Sequence, residues 1–142
     1  METEMMNQAL QAADRLALST SLANLADVKI VNFVWYPERP GVLYFAALKN
    51  SAAIAVYEQH PDAALVTIPR DETLQGLFVR SHHVNIEHAA QTMPELLPRY
   101  LELIPGYQKI WDALGESLVA FEIKLPSAVV TSALGNKQTF KF

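Results

Sequence analysis

Cysteine is absent from the 142 residues. That excludes disulfides, thiolate catalysis and cysteine-built zinc sites, and it leaves the compartment open. Charge is scarce as well: 18% of residues are charged and the net charge is −4. Nucleic-acid binders normally carry a basic face, so the balance argues against that class. No apolar run approaches the length of a membrane span. The opening Met1-Glu2-Thr3-Glu4-Met5-Met6 carries acids and no apolar run long enough for a signal peptide. A cytoplasmic protein is the default expectation. The chain also has no Gly-rich phosphate loop, no catalytic triad and no convincing carboxylate pair. Internal repeats, low-complexity tracts and linker-like shifts are missing too.

What is there is hydrophobic: 51% of the residues. A chain of this length is expected to form one domain over residues 1–142. Folding at that size buries about two-thirds of the chain's surface, enough for a real core.

The organising stretch runs from Val28 to Pro69. Val28–Tyr36 is rich in β-branched and aromatic residues and reads as a strand, apolar on both faces. Pro40-Gly41 suits the centre of a type II turn, where proline presets φ and glycine accepts a positive one. Val42–Leu48 is a second strand. Lys49-Asn50-Ser51 then opens a helix that Pro61 closes, and Ala63–Ile68 is a third strand. Asn50 or Ser51 can cap the helix. A helix start beside a lysine also favours an anion, though most caps bind nothing.

Elsewhere, Met6, Ala9, Leu10, Ala13 and Leu16 fall at helical spacing, predicting a helix over 2–16. Ala17–Leu22 is expected to be a strand, with a loop over 23–27. Leu74 to Ile86 reads as one long strand or two with a bend at Gly76. Thr92-Met93-Pro94-Glu95 carries the signature of a capped helix start, and Pro98 is expected to break or restart the helix. Tyr107–Leu114 adds a short helix. Ser117–Leu125 alternates most cleanly, with Val119, Phe121, Ile123 and Leu125 on one face. Ala128–Ala133 is a last strand. Six or so strands with hairpin-length connections predict a mainly β protein, an antiparallel barrel flanked by α-helices.

His82, His83, Glu87 and His88 form the densest group of metal-ligand types. Neighbours on a strand point to opposite faces, so His82 and His83 are not expected to share an ion. No metal is assigned to them. Trp111 reads first as a packing residue and second as a flavin contact.

Tyr44-Phe45-Ala46-Ala47-Leu48-Lys49-Asn50-Ser51, running into a helix and then His60-Pro61-Asp62-Ala63-Ala64-Leu65, resembles the pyridoxamine 5′-phosphate oxidase-like family. Those proteins are FMN-binding split barrels. Ser51 matches the family's serine and Pro61 its proline. Ala52 stands where true oxidases carry arginine, and Ala53 where lysine is common. Lys49 is then the nearest cation. The resemblance implies a six-stranded antiparallel split β-barrel that dimerises, with a flavin in each interface groove.

By the same resemblance Lys49, Asn50 and Ser51 hold the ribityl phosphate. Backbone groups near Phe33, Val34 and Trp35 border the isoalloxazine, and Gln75 is a candidate for its polar edge. The implied function is a small FMN-dependent oxidoreductase acting on a small-molecule substrate or electron donor. The alternative is a non-enzymatic module for haem or another flat cofactor, with His82, His83 and His88 as ligand candidates, or a dimer that has lost its cofactor.

Overall fold

The computed structural model describes residues 4–70, 76–132 and 134–142. Its centre is a nine-stranded antiparallel sheet, curled into a half-barrel. The order along the chain is α1 (Glu4–Gln11), β1 (Ala13–Leu22), β2 (Leu25–Asn32), β3 (Val34–Trp35) and β4 (Val42–Leu48). Then come α2 (Ala53–Gln59), β5 (Asp62–Pro69), β6 (Phe78–His88), α3 (Met93–Leu103) and α4 (Tyr107–Leu114). A short 3₁₀ turn leads into β7 (Leu118–Lys124), β8 (Ser127–Thr131) and β9 (Lys137–Lys141). Across the sheet the strands lie β2-β1-β5-β6-β7-β4-β3, with β8 on β6 and β9 on β8.

The mainly β split barrel is as expected; the strands number nine because the expected Val28–Tyr36 strand divides in two and Lys137–Lys141 adds β9. Helix α1 stops at Gln11, and β1 begins at Ala13. The pairing of β1 with β5 skips between Ala13 and Arg15, a bulge at Asp14. One extra residue turns a strand spacing of two into three, so buried Ala13 and Leu16 imitate a helix stripe. The expected Val28–Tyr36 strand breaks at Phe33, whose N–H donates to Asp14 O at 3.1 Å. Its first part extends back to Leu25 as β2, and its last two residues, β3, pair with Tyr44 and Leu43. The expected loop at 23–27 is a two-residue turn, Ala23-Asn24.

β4 and β7 pair through seven residues, with Phe45 opposite Phe121. One face sends Leu43, Phe45, Phe121 and Ile123 into the barrel, where Tyr57 of α2 plugs them. Phe45 and Phe121 stack at 5.6 Å, and Tyr57 meets both edge-on. The other face offers Tyr44 and Ala120 to a second core with Val34, Met93, Leu96 and Tyr100.

Helix α3 runs through Pro98 unbroken. Its start carries a full capping box: Thr92 Oγ1 accepts from the Glu95 N–H, and Glu95 Oε1 accepts from the Thr92 N–H. Pro98 sits on the exposed side while Leu96 and Tyr100 bury the other. Packing on that face outweighs one missing hydrogen bond. The bond from the Thr92 backbone holds the Glu95 carboxyl below the usual carboxylate range. A lowered folded pKa gives stability above the unfolded value, lost as pH falls through the folded one. Glu95→Ala should therefore destabilise the protein at neutral pH, and the gap from wild type should narrow on acidification below 4.5. Urea unfolding at several pH values measures it. Phe121→Ala, which empties the centre of the barrel core, should cost about 3–5 kcal/mol by the same assay.

Candidate functional site

A groove of about 540 Å³ opens between the end of β6, the start of α3, helix α4 and the beginning of β7. Lys49, His88, Gln91, Trp111, Glu116 and Ala120 line it. The size falls in the range of about 300–1,000 Å³ common for small-molecule sites. Lys49 reaches it from the end of β4, its backbone N–H donating to Ser117 O at 2.8 Å. Among the described residues Lys49 makes no ion pair. Gln91 lies in the β6–α3 connection, and its Oε1 is shielded from solvent without a hydrogen-bond partner among the described residues. A buried acceptor left unpaired is costly unless a ligand or water meets it.

Trp111 stands on α4 above Gly115, which closes that helix. A Cβ on Gly115 would lie 2.8 Å from the Trp111 ring, so glycine lets the indole lie down over the helix end. His88 closes the far side. Its ring packs 4.5 Å from Phe121, and Glu58 Oε2 sits 2.8 Å from its Nε2.

Lys49 and Trp111, far apart in sequence, thus share one groove. The other expected residues divide. Ser51 Oγ accepts from the Ala53 N–H at 3.2 Å, so the cap is used by the helix itself. Helix α2 has only seven residues. Asn50 is exposed in the turn before it. Ala52 and Ala53 face a second groove of about 290 Å³, between α2 and the β1–β2 hairpin, where Lys29 and Asp27 also lie. The side chains of Phe33, Val34 and Trp35 are buried, the first and last in the barrel core and Val34 in the second core. None of them lines the larger groove, and the Trp35 carbonyl accepts from Arg99 Nε at 2.7 Å. Gln75 lies outside the described residues.

His82 and His83 depart from expectation. A bulge in the β5–β6 pairing makes His83 the extra residue, with φ of 57°. Both rings come to the surface, 5.0 Å apart, and His83 Nδ1 is 3.4 Å from Asp62. Among the described residues no group of three His, Asp or Glu is placed to hold a metal ion.

Beside the groove, α3 and α4 bury two stacked phenols, Tyr100 and Tyr107, at 4.6 Å. Burial raises both, Tyr107 to about 12 and Tyr100 further, so both stay protonated at neutral pH. Sequence reasoning missed Gln91 and Glu116 as groove residues. Neither stands in a motif, and only the tertiary placement of the α3 cap brings Gln91 there.

Residues 9–137 match the pyridoxamine 5′-phosphate oxidase-like family. The chain belongs to that family. No curated protein matches the sequence. Solved structures of similar fold include a NimC/NimA family protein of Clostridium acetobutylicum, at 15% identity and TM-score 0.68, covering 99% of this chain and 92% of that one. A FAD-binding protein of Mesorhizobium loti aligns at 14% identity and TM-score 0.62, over 86% and 88% of the two chains. A heme binding protein of Mycobacterium smegmatis aligns at 10% identity and TM-score 0.70, over 97% of this chain and 58% of its own. The split barrel of the pyridoxamine 5′-phosphate oxidase-like family is therefore the frame of this groove. No helix among the described residues is long and apolar enough to cross a membrane.

Gly115→Ala should push the Trp111 ring out of its place against α4. The expected result is a shifted tryptophan emission maximum with little loss of thermal stability. An unchanged spectrum would mean that Trp111 does not depend on Gly115.

Proposed function

We propose that this protein is a small FMN-dependent oxidoreductase, a cytoplasmic homodimer that uses a small-molecule substrate or electron donor. The observation that carries this is the meeting of Lys49 and Trp111 in one groove of a pyridoxamine 5′-phosphate oxidase-like chain. The lining suits a flavin nucleotide. Lys49 supplies a point charge for the phosphate, and Asn50 and Ser51 stand next to it as neutral donors. Trp111 offers a ring to stack on the isoalloxazine. Gln91 offers an amide to its polar edge, and Gln75 remains a further candidate for that role. Val34 packs in the core that also holds Met93 and Ala120 of the lining, and the backbone near Phe33, Val34 and Trp35 is the border that the family resemblance implies for the isoalloxazine. When bound, the flavin carries the hydride; the protein contributes position and field. True pyridoxamine phosphate oxidase activity is not proposed, because Ala52 and Ala53 lack the cations of that enzyme.

His88 favours a second reading, a haem-binding module without catalysis. It lines the same groove, and Glu58 holds one ring nitrogen as carboxylates often do beside metal-ligating histidines. His82 and His83 lie outside the groove. A dimer without cofactor is the third outcome of the same assay. Purified protein that is yellow, absorbing at about 450 nm as flavins do, supports the first reading. A Soret band supports the second, and a colourless protein that ignores added FMN supports the third.

Fluorescence titration with FMN locates the phosphate. Lys49→Ala should weaken binding about tenfold, the scale of one charge-assisted hydrogen bond after screening. Ser51→Ala should cost less. Ala52→Arg restores a cation on the exposed side of the smaller groove. If Ala52→Arg tightens binding while Lys49→Ala changes nothing, the phosphate lies at α2 and the Lys49 assignment is wrong.

A further inference from the structure

The outer face of the sheet carries a third concavity. Leu16, Leu18, Leu65 and Val79 point into the barrel core, so their neighbours along each strand point out. On that face β2, β1, β5 and β6 lie side by side. The register sets Val28, Ser19, Ala64 and His82 in one row across the four strands. Ile30, Ala17, Val66 and Arg80 make the next row.

The half-buried Ala17, Ser19, Ala64 and Val66 form the floor of a trough. Val28, 63% exposed, rises on one side. Arg80 and His82, both exposed, rise on the other. The trough encloses about 390 Å³. That lies inside the range of about 300–1,000 Å³ common for small-molecule sites. It shares no lining residue with either groove described above.

The two sides differ in chemistry. The Val28 side and most of the floor are apolar, and open apolar surface of this kind marks binding grooves. Arg80 and His82 share one face of β6 two residues apart, about 7 Å along the strand. Among the described residues neither makes an ion pair. His83, the extra residue of the bulge, is turned to Asp62 instead. A guanidinium is always charged, and its planar fork matches a carboxylate with two parallel hydrogen bonds. Among the described residues Arg80 is the only lysine or arginine that lines the trough. One fixed positive charge suits a single carboxylate better than a doubly charged phosphate monoester. The floor offers no bulky side chain, so a flat apolar body can lie on it.

We propose that this trough binds an aromatic monocarboxylate. The carboxylate sits on Arg80, beside the His82 imidazole, and the ring lies over Ala64, Ala17 and Val66. The site stands apart from the Lys49 groove and does not depend on the flavin reading.

Isothermal titration of the full chain with 2-naphthoate tests it. Wild type should bind the probe. Arg80→Gln should weaken binding about tenfold or more, the scale of a lost charge-assisted pair. Ala64→Leu, which raises a side chain into the floor, should weaken it at least as much. Thermal unfolding reports that both variants, changed on the outer face, remain folded. The uncharged 2-naphthylmethanol should bind weakly, and alike to wild type and Arg80→Gln. Lys49→Ala should leave naphthoate affinity unchanged. Naphthoate that binds Arg80→Gln and Ala64→Leu as well as wild type overturns the site. Affinity that falls with Lys49→Ala and not with Arg80→Gln puts the probe in the larger groove and overturns it too. A wild type that takes up no naphthoate, with Ala64→Leu altering the sedimentation of the chain, means that a second copy covers the trough, and the proposal falls.

Discussion

The pairing of β4 with β7 is the constraint on which the rest depends. Each strand alternates between two cores. Leu43, Phe45, Phe121 and Ile123 fill the barrel, while Tyr44 and Ala120 support α3 and α4 outside it. Side chains along a strand change face with every residue. A slip of one position would therefore exchange the two sets, sending the small Ala120 inward and the bulky Phe121 outward. The aromatic trio of Phe45, Phe121 and Tyr57 locks the register from inside. The stacked Tyr100 and Tyr107 hold the helices from outside.

The groove inherits its geometry from the same pairing. Lys49 follows the last residue of β4, and Ala120 lies within β7. The helices do not cover the near end of β7, and the uncovered strip is the groove floor. His88 enters because β6 also pairs with β7, setting His88 opposite Phe121. Three strands and two helices thus bring distant polar residues together, while few of those residues are fixed by their own neighbours in sequence.

Elements whose local chemistry is self-sufficient were legible in the sequence. The alternation of Val119, Phe121, Ile123 and Leu125 announces β7, and Thr92 with Glu95 announces the start of α3. The bounds of α4 follow from its closing glycine. Illegible were the places where an extra residue enters a strand. The bulge at Asp14 gives β1 a helical spacing, and the one at His83 brings two neighbouring imidazoles to one surface. Bulges are set by the partner strand, so a single strand cannot declare them. Lys49 and Trp111 could be picked from residue type, yet their shared groove is a tertiary fact. The family resemblance implies that backbone groups near Phe33, Val34 and Trp35 border the ligand; the break at Phe33 folds their side chains into the two cores.

The sheet's connectivity has a consequence for the order in which the molecule forms. β1 and β2 are neighbours in sequence, joined by a two-residue turn, and such hairpins close in about 1–10 μs. β4 must wait for β7, because Leu48 meets Leu118 only after β5, β6, α3 and α4 have been made. Long-range pairing of this kind is the slow step in folding. During synthesis the chain therefore holds a finished hairpin long before it holds a finished barrel. For that interval the hairpin lacks the long-range contacts of β5 that cover one side of it, so it is only marginally stable until they form.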